Sequence, residues 1–332
     1  MKADSCFPSL LQAFFTDRLM EQCNASPHTI AAYRDTFRLL LSYAQQRLGK
    51  APSDLSLHQL DSDFIGAFLR HLEQDRGNSP RSRNARLAAI HSFFRYAAYQ
   101  VPEHSALVQR VLAIPRKRHE RVQIAYLTGE ECRALLNSPD RTIWSGRRDY
   151  ALLLVAIQTG LRVSELTDLH CGDVSLRTGS HVRCTGKGRK SRCTPLRPQV
   201  VAVLKAWLDE RRAAPADPLF PNRRRGALSL DGVQFILTKH VVAAVQKCPS
   251  LKEKTVTPHV LRHTAAMNLL HAGADTATIA LWLGHENLDT VHVYVEADLA
   301  AKQRILEKTS DPEVKAKRFR PDDSLLTFLK DL

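Results

Sequence analysis

A proline-broken basic stretch divides this chain in two. Residues 110–121 hold Arg110, Arg116, Lys117, Arg118 and Arg121 against one acid, Glu120, with Pro115 in the middle. Proline removes a backbone donor, and crowded cations resist burial, so the stretch predicts an exposed linker between two separate cores. A length of 332 residues, about twice that of a typical domain, fits two domains.

The residues before the linker predict a run of helices. Ser26-Pro27 and Ser79-Pro80 each pair an N-cap with proline at the first helical position. Ile30, Tyr33, Phe37, Leu40 and Leu41 then lay one apolar face along a first helix, and Ala85, Leu87, Ile90, Phe93, Phe94 and Ala97 along another. Arg81, Arg83, Arg86 and Arg95 share that second segment. A helix from Leu57 to Glu73, with Leu60, Phe64, Phe68 and Leu72, completes a small bundle.

Past the linker, Thr128 and Glu131 have the spacing of a capping box. Arg147–Gln158 predicts a buried helix, apolar from Ala151 to Ile157. Residues 181–196 alternate on both sides of Gly186-Lys187-Gly188-Arg189-Lys190, a hairpin signal. A turn centred between Gly188 and Arg189 would set Cys184 opposite Cys193. The pattern is helical again from about Leu228. The fold class is therefore mainly α with a small antiparallel β-sheet in the second domain.

A net charge of +14 calls for a polyanionic partner, most often nucleic acid. Seven scattered cysteines without a CxxC pair suit reduced thiols and argue against a disulfide framework or a zinc finger. The longest apolar run, Tyr150–Ile157, is too short to cross a bilayer, and a secretory signal is not evident. A cytoplasmic protein that works at the nucleoid is expected.

Four clusters could do chemistry. Thr159-Gly160-Leu161-Arg162 puts an arginine at a helix start, where its donor fork matches two phosphate oxygens, although Arg162 with Glu165 also makes an ordinary structural pair. Lys187 sits in a hairpin whose surroundings, from Asp173 to Asp209, hold cations and no intervening acid, so the hairpin is expected on DNA. His259 and Arg262 lie three apart in His259-Val-Leu-Arg262-His263 and share a helical face, able to hold a phosphate and shuttle a proton; a zinc site can look similar. Leu283-Gly284-His285 is followed by Tyr294, which by itself would pass for a core aromatic.

Together, Thr159-Gly-Leu-Arg162, Lys187, His259-x-x-Arg262, Leu283-Gly-His285 and Tyr294 resemble the catalytic set of the tyrosine recombinases, the phage-integrase and Xer-type enzymes. The resemblance is strong from Thr128 to Glu307, and the first domain is similar to that family's helical core-binding domain in pattern and position. It implies a core-binding domain at 1–115, a linker at 116–127, a catalytic domain at 128–309 and a tail at 310–332 exchanged between protomers. It also implies an enzyme that cuts and rejoins double-stranded DNA as a tetramer on two duplexes, the two domains gripping the DNA from opposite sides.

In the implied mechanism Tyr294 attacks phosphorus, leaving a 3′-phosphotyrosine and a free 5′-hydroxyl. Arg162, Arg262 and His285 supply transition-state donors, His259 accepts the phenolic proton, and Lys187 is the acid toward the 5′-oxygen, with Lys190 as its rival. One ester replaces another, so no ATP, metal or other cofactor is expected. Two alternatives use the same residues differently: a type IB topoisomerase, and a DNA-binding regulator without activity.

Overall fold

The structure is a computed structural model that describes residues 7–118, 124–186, 191–284 and 294. The chain divides into two compact units, Met1–Arg121 and Val122–Leu332. The division falls at the end of the basic stretch.

In the first unit α1 (Phe7–Ala13) runs into a π-helical segment (Phe14–Gln22), followed by α2 (Pro27–Leu48), α3 (Ser62–Gln74), α4 (Pro80–Gln100) and α5 (Ser105–Leu112). The Ser26 and Ser79 side chains accept hydrogen bonds from the backbone N–H groups of Thr29 and Ser82, the caps expected before proline. The core is aromatic. Phe14, fully buried, meets Phe93 with ring centroids 5.5 Å apart, and Phe37 meets Phe93 at 5.4 Å. Each such ring contributes about 1.5–3 kcal/mol by leaving water.

Two local expectations change here. The Leu57–Glu73 helix is broken: Leu57–Gln59 forms a 3-10 turn, and α3 begins at Ser62 because Asp61 caps it by accepting from the Phe64 N–H at 2.8 Å. The start of the basic stretch is also pinned to its own unit. Arg83 donates to the Pro115 carbonyl at 2.9 Å, the Asn84 amide donates to the Lys117 carbonyl at 2.7 Å, and Lys117 pairs with Glu73 at 2.8 Å.

The second unit opens with α6 (Gly129–Leu136), its Thr128–Glu131 capping box formed in both directions. Next come α7 (Trp144–Thr159) and α8 (Val163–Thr167). Along most of its length α7 is buried, as a helix apolar all round must be, and it packs on α9 (Pro198–Arg211) and α11 (Pro258–His271). Strands β1 (Val174–Ser175), β2 (His181–Thr185) and β3 (Ser191–Pro195) form an antiparallel sheet in that order. α10 (Leu230–Val245) and α12 (Thr276–Leu283) complete the described elements.

The hairpin register differs by one residue from the expected one: Cys184 pairs with Arg192, and Cys193 with Arg183. With a side-chain period of two, that slip reverses a face. Cys184 is buried, Cys193 is exposed, and Arg192 points inward beside Cys184.

Candidate active site

Two left-handed glycines set the frame. Gly160 ends α7 at φ 65°, and a Cβ there would lie 2.7 Å from Leu283 Cδ2 and 2.9 Å from Ala265 Cβ. Gly284 ends α12 at φ 66°, where a Cβ would lie 2.8 Å from Arg192 Nη1. Both positions need glycine for conformation and for space.

Backbone carbonyls at these two ends orient the two arginines. Arg262, on α11, donates through Nη1 to the Gly160 carbonyl and through Nη2 to the Leu283 carbonyl, each at 2.7 Å. Arg162, the residue before α8, donates through Nη2 to the Gly284 carbonyl at 3.1 Å and through Nη1 to Glu165 at 2.9 Å. Burial, then the neighbouring Arg162, lowers the pKa of Arg262 to about 10, which still leaves it cationic at neutral pH.

Glu165 is the counter-charge. Its carboxylate accepts from the Arg162 N–H at 2.8 Å, from Arg162 Nη1, and from both terminal nitrogens of Arg192 at 2.9 and 2.7 Å. Burial pushes this carboxyl up, but Arg192 and Arg162 outweigh it and hold the pKa at about 2. Arg192 is therefore not on an open DNA-facing surface, as the charge of its hairpin suggested; it ties β3 to the start of α8.

Tyr294 is 1% exposed, and its hydroxyl lies 3.0 Å from His263 Nδ1, the rings 5.5 Å apart at 60°. Burial raises the phenol pKa, opposed by Arg262 and Arg162. Burial, together with His259 and Arg262, lowers His263 to about 4, so the imidazole is neutral. In the neutral tautomer with Nδ1 unprotonated, the phenol donates to Nδ1 and its buried O–H is satisfied among the described residues.

The structure thus brings Arg162, Arg262 and Tyr294 to one place. His259 lies exposed one turn before His263, and the contact expected of it with the phenol is made by His263. Lys187, Lys190, His285 and the tail lie outside the described residues. Glu165, Arg192 and His263 were not picked out by sequence as site residues. The Arg162–Glu165 spacing and the His259–His263 spacing of four were the available signals; nothing local ties Arg192 to Glu165.

In the first unit, Arg81, Asn84, Ala85, Ala88, Arg116 and Arg118 line an open cleft with Lys117, about 610 Å³ in volume. Arg81 and Arg95 are exposed, whereas Arg83 and Arg86 are spent on internal hydrogen bonds.

Residues 125–300 match the model of the phage integrase family, and residues 13–100 that of the phage integrase N-terminal SAM-like domain. The chain belongs to the phage integrase family. It is 56% identical to an integrase/recombinase-type protein of Sinorhizobium fredii, y4rC, over 97% of each chain. It is 32% identical to the tyrosine recombinase XerC of Pelobacter propionicus over 93% of this chain and 97% of that one. Among solved structures, XerH recombinase bound to difH in a pre-cleavage complex is similar at a TM-score of 0.64 and 25% identity, covering 91% of this chain and 83% of that one. As a member of this family the chain is a site-specific DNA recombinase of the tyrosine type. No helix among the described residues is long and apolar enough to cross a membrane.

Proposed function

We propose that Tyr294 is the nucleophile that joins this recombinase to DNA, leaving a 3′-phosphotyrosine and a free 5′-hydroxyl. The observation that supports this is the convergence of Tyr294 with Arg162 and Arg262, two guanidinium groups whose charge is felt at its hydroxyl. Negative charge grows on the non-bridging oxygens as phosphorus is attacked, and fixed cationic donors there form the largest catalytic contribution. His285 adds a donor to the same phosphate, His259 accepts the phenolic proton, and a hairpin lysine, Lys187 ahead of Lys190, protonates the departing 5′-oxygen. The 5′-hydroxyl of a second duplex then attacks the phosphotyrosine and reseals the strand, so bond energy is conserved.

Four protomers on two duplexes carry out the exchange, with the 310–332 tail passing between protomers. The helical unit 1–115, the linker 116–127 and the catalytic unit 128–309 each bring cations to the duplex, in keeping with the +14 charge and a place of work on chromosomal or mobile-element DNA. A strand-transfer assay with two differently labelled duplexes tests this reading. Joined product carrying both labels is expected; relaxation of supercoils without exchange would point to the topoisomerase reaction instead.

A further inference from the structure

We infer that Arg192 is a positioning residue for strand cleavage: through Glu165 it holds the Arg162 guanidinium in the orientation that a DNA phosphate needs. The inference rests on the reading of Arg162 as a transition-state donor. It goes beyond that reading, because the hairpin charge pointed to Arg192 only as one more cation on the DNA.

Geometry carries it. The β2–β3 register pairs Arg192 with the buried Cys184, so the arginine turns inward and its side chain is 14% exposed. Its two terminal nitrogens donate to the two oxygens of Glu165, at 2.9 and 2.7 Å. The same two oxygens accept from Arg162, from Nη1 at 2.9 Å and from the backbone N–H at 2.8 Å. One carboxylate thus serves two arginines, and a two-point grip by Arg192 fixes the plane in which Arg162 must bind it. The Arg162 side chain is 28% exposed and can meet a ligand, whereas that of Glu165 is 2% exposed and cannot.

Two glycines make room for this arrangement. A Cβ at Gly284 would lie 2.8 Å from Arg192 Nη1, and a Cβ at Gly186 would lie 3.2 Å from the same nitrogen and 3.1 Å from Glu165 Oε1. Gly284 also offers its carbonyl to Arg162 Nη2 at 3.1 Å. Arg192 is therefore packed against the backbone that supplies the second anchor of Arg162.

Electrostatics points the same way. Three guanidinium groups, those of Arg162, Arg192 and Arg262, surround the single carboxylate of Glu165. With Arg192 present, the negative charge of Glu165 is divided between two partners. Without it, the whole anion bears on Arg162, the cation that has to answer a phosphate, and the carboxylate is free to turn. Both changes weaken a donor whose value depends on being fixed in advance. The terminal nitrogens of Arg192 are spent on Glu165, so it acts through Arg162 and not on the phosphate.

The test is a double-mutant cycle on single-turnover adduct formation, using full-length wild type, Arg192→Lys, Arg162→Lys and the double variant. The substrate, held at saturation, is a nicked duplex built on the sequence that the protein selects from a random pool. Gel shift gives affinity, and circular dichroism reports the fold. Lysine keeps the charge of Arg192 and loses its fork. Arg192→Lys is expected to slow adduct formation by about a hundredfold, with a far smaller change in affinity. The double variant is expected within about fivefold of Arg162→Lys, since nothing remains to position once the fork at 162 is gone. A slowing of less than about tenfold by Arg192→Lys overturns the inference, as does an affinity loss as large as the rate loss. So does a double variant more than about fivefold slower than Arg162→Lys, because independent effects multiply. Arg192→Gln, which still offers Glu165 an amide donor, repeats the comparison where lysine prevents folding. Failure of both variants to fold makes Arg192 structural and also overturns the inference. The two readings fail differently: normal adduct formation by Arg162→Lys removes the role of Arg162 itself, whereas a slow Arg162→Lys beside a fast Arg192→Lys removes the inference alone.

Discussion

Arg192 grips both oxygens of Glu165, at 2.9 and 2.7 Å, and through that carboxylate fixes Arg162, whose backbone N–H and Nη1 share the same two oxygens. The Arg192 side chain is 14% exposed and that of Glu165 is 2% exposed, so removing either partner strands a buried charge. Glu165→Gln is expected to cost about 3–5 kcal/mol, the usual penalty for breaking a buried pair. Urea denaturation of variant and wild type measures it; a loss below about 1 kcal/mol would mean that water has reached the site.

The same carboxyl predicts an acid sensitivity with a definite sign. Its folded pKa, about 2, lies below the ordinary glutamate value, so its ion pairs stabilise the fold fully above that ordinary value. The contribution is lost progressively as pH falls from about 4.5 toward 2. Wild type is expected to lose stability over that window, and Glu165→Gln less so. Parallel curves for the two proteins would contradict the pairing.

Gly160→Ala should disturb chemistry from outside the reacting groups. The added Cβ meets Leu283 and Ala265 below 3 Å at a residue whose φ is 65°, and the same residue's carbonyl holds Arg262. A stability loss of roughly 1–3 kcal/mol is expected, with strand cleavage reduced further than DNA affinity. Equal losses in affinity and cleavage would show that the Arg262 anchor is unimportant.

Local features were legible in the sequence, and long-range pairings were not. Gly160 sits in a motif visible in the chain, and the Ser26, Ser79 and Thr128 caps are local events that local spacing announces. Asp61 is local too, yet its cap cuts short a helix that apolar spacing alone extended back to Leu57. Arg192 and Glu165 are 27 residues apart, and their pairing depends on a hairpin register in which a slip of one residue exchanges inside for outside. Cys184 and Cys193 were misplaced for the same reason. His263 escaped because helical spacing pairs His259 with Arg262, while the phenol arrives from beyond α12 on a part of the chain that no periodicity in α11 can report.

Lysine should not replace either site arginine. A point charge cannot make the two directed bonds that Arg262 makes to Gly160 and Leu283 while also serving a phosphate. Arg162→Lys and Arg262→Lys are each expected to lower single-turnover cleavage by a hundredfold or more, on the order typical for one transition-state donor. Gel shifts should show much smaller changes. Near-normal cleavage would make the arginine structural.

The acid in the hairpin turn is tested by sulfur. With the 5′-bridging oxygen replaced by sulfur, the leaving group needs no proton. Lys187→Ala should cleave ordinary DNA poorly and the phosphorothiolate well, and Lys190→Ala should match wild type on both. Rescue of Lys190→Ala instead would move the role three positions along the chain.

The most direct test of the account is covalent trapping with Tyr294→Phe, which removes one oxygen from a buried ring and little else. A nicked duplex prevents religation, so that cleaved wild-type protein migrates with its DNA on a denaturing gel. Wild type should give this adduct with the label 5′ of the break on the protein, and Tyr294→Phe should bind the same duplex with unchanged affinity and give none. A stable adduct formed by Tyr294→Phe would contradict the account, because another residue would then have to be the nucleophile.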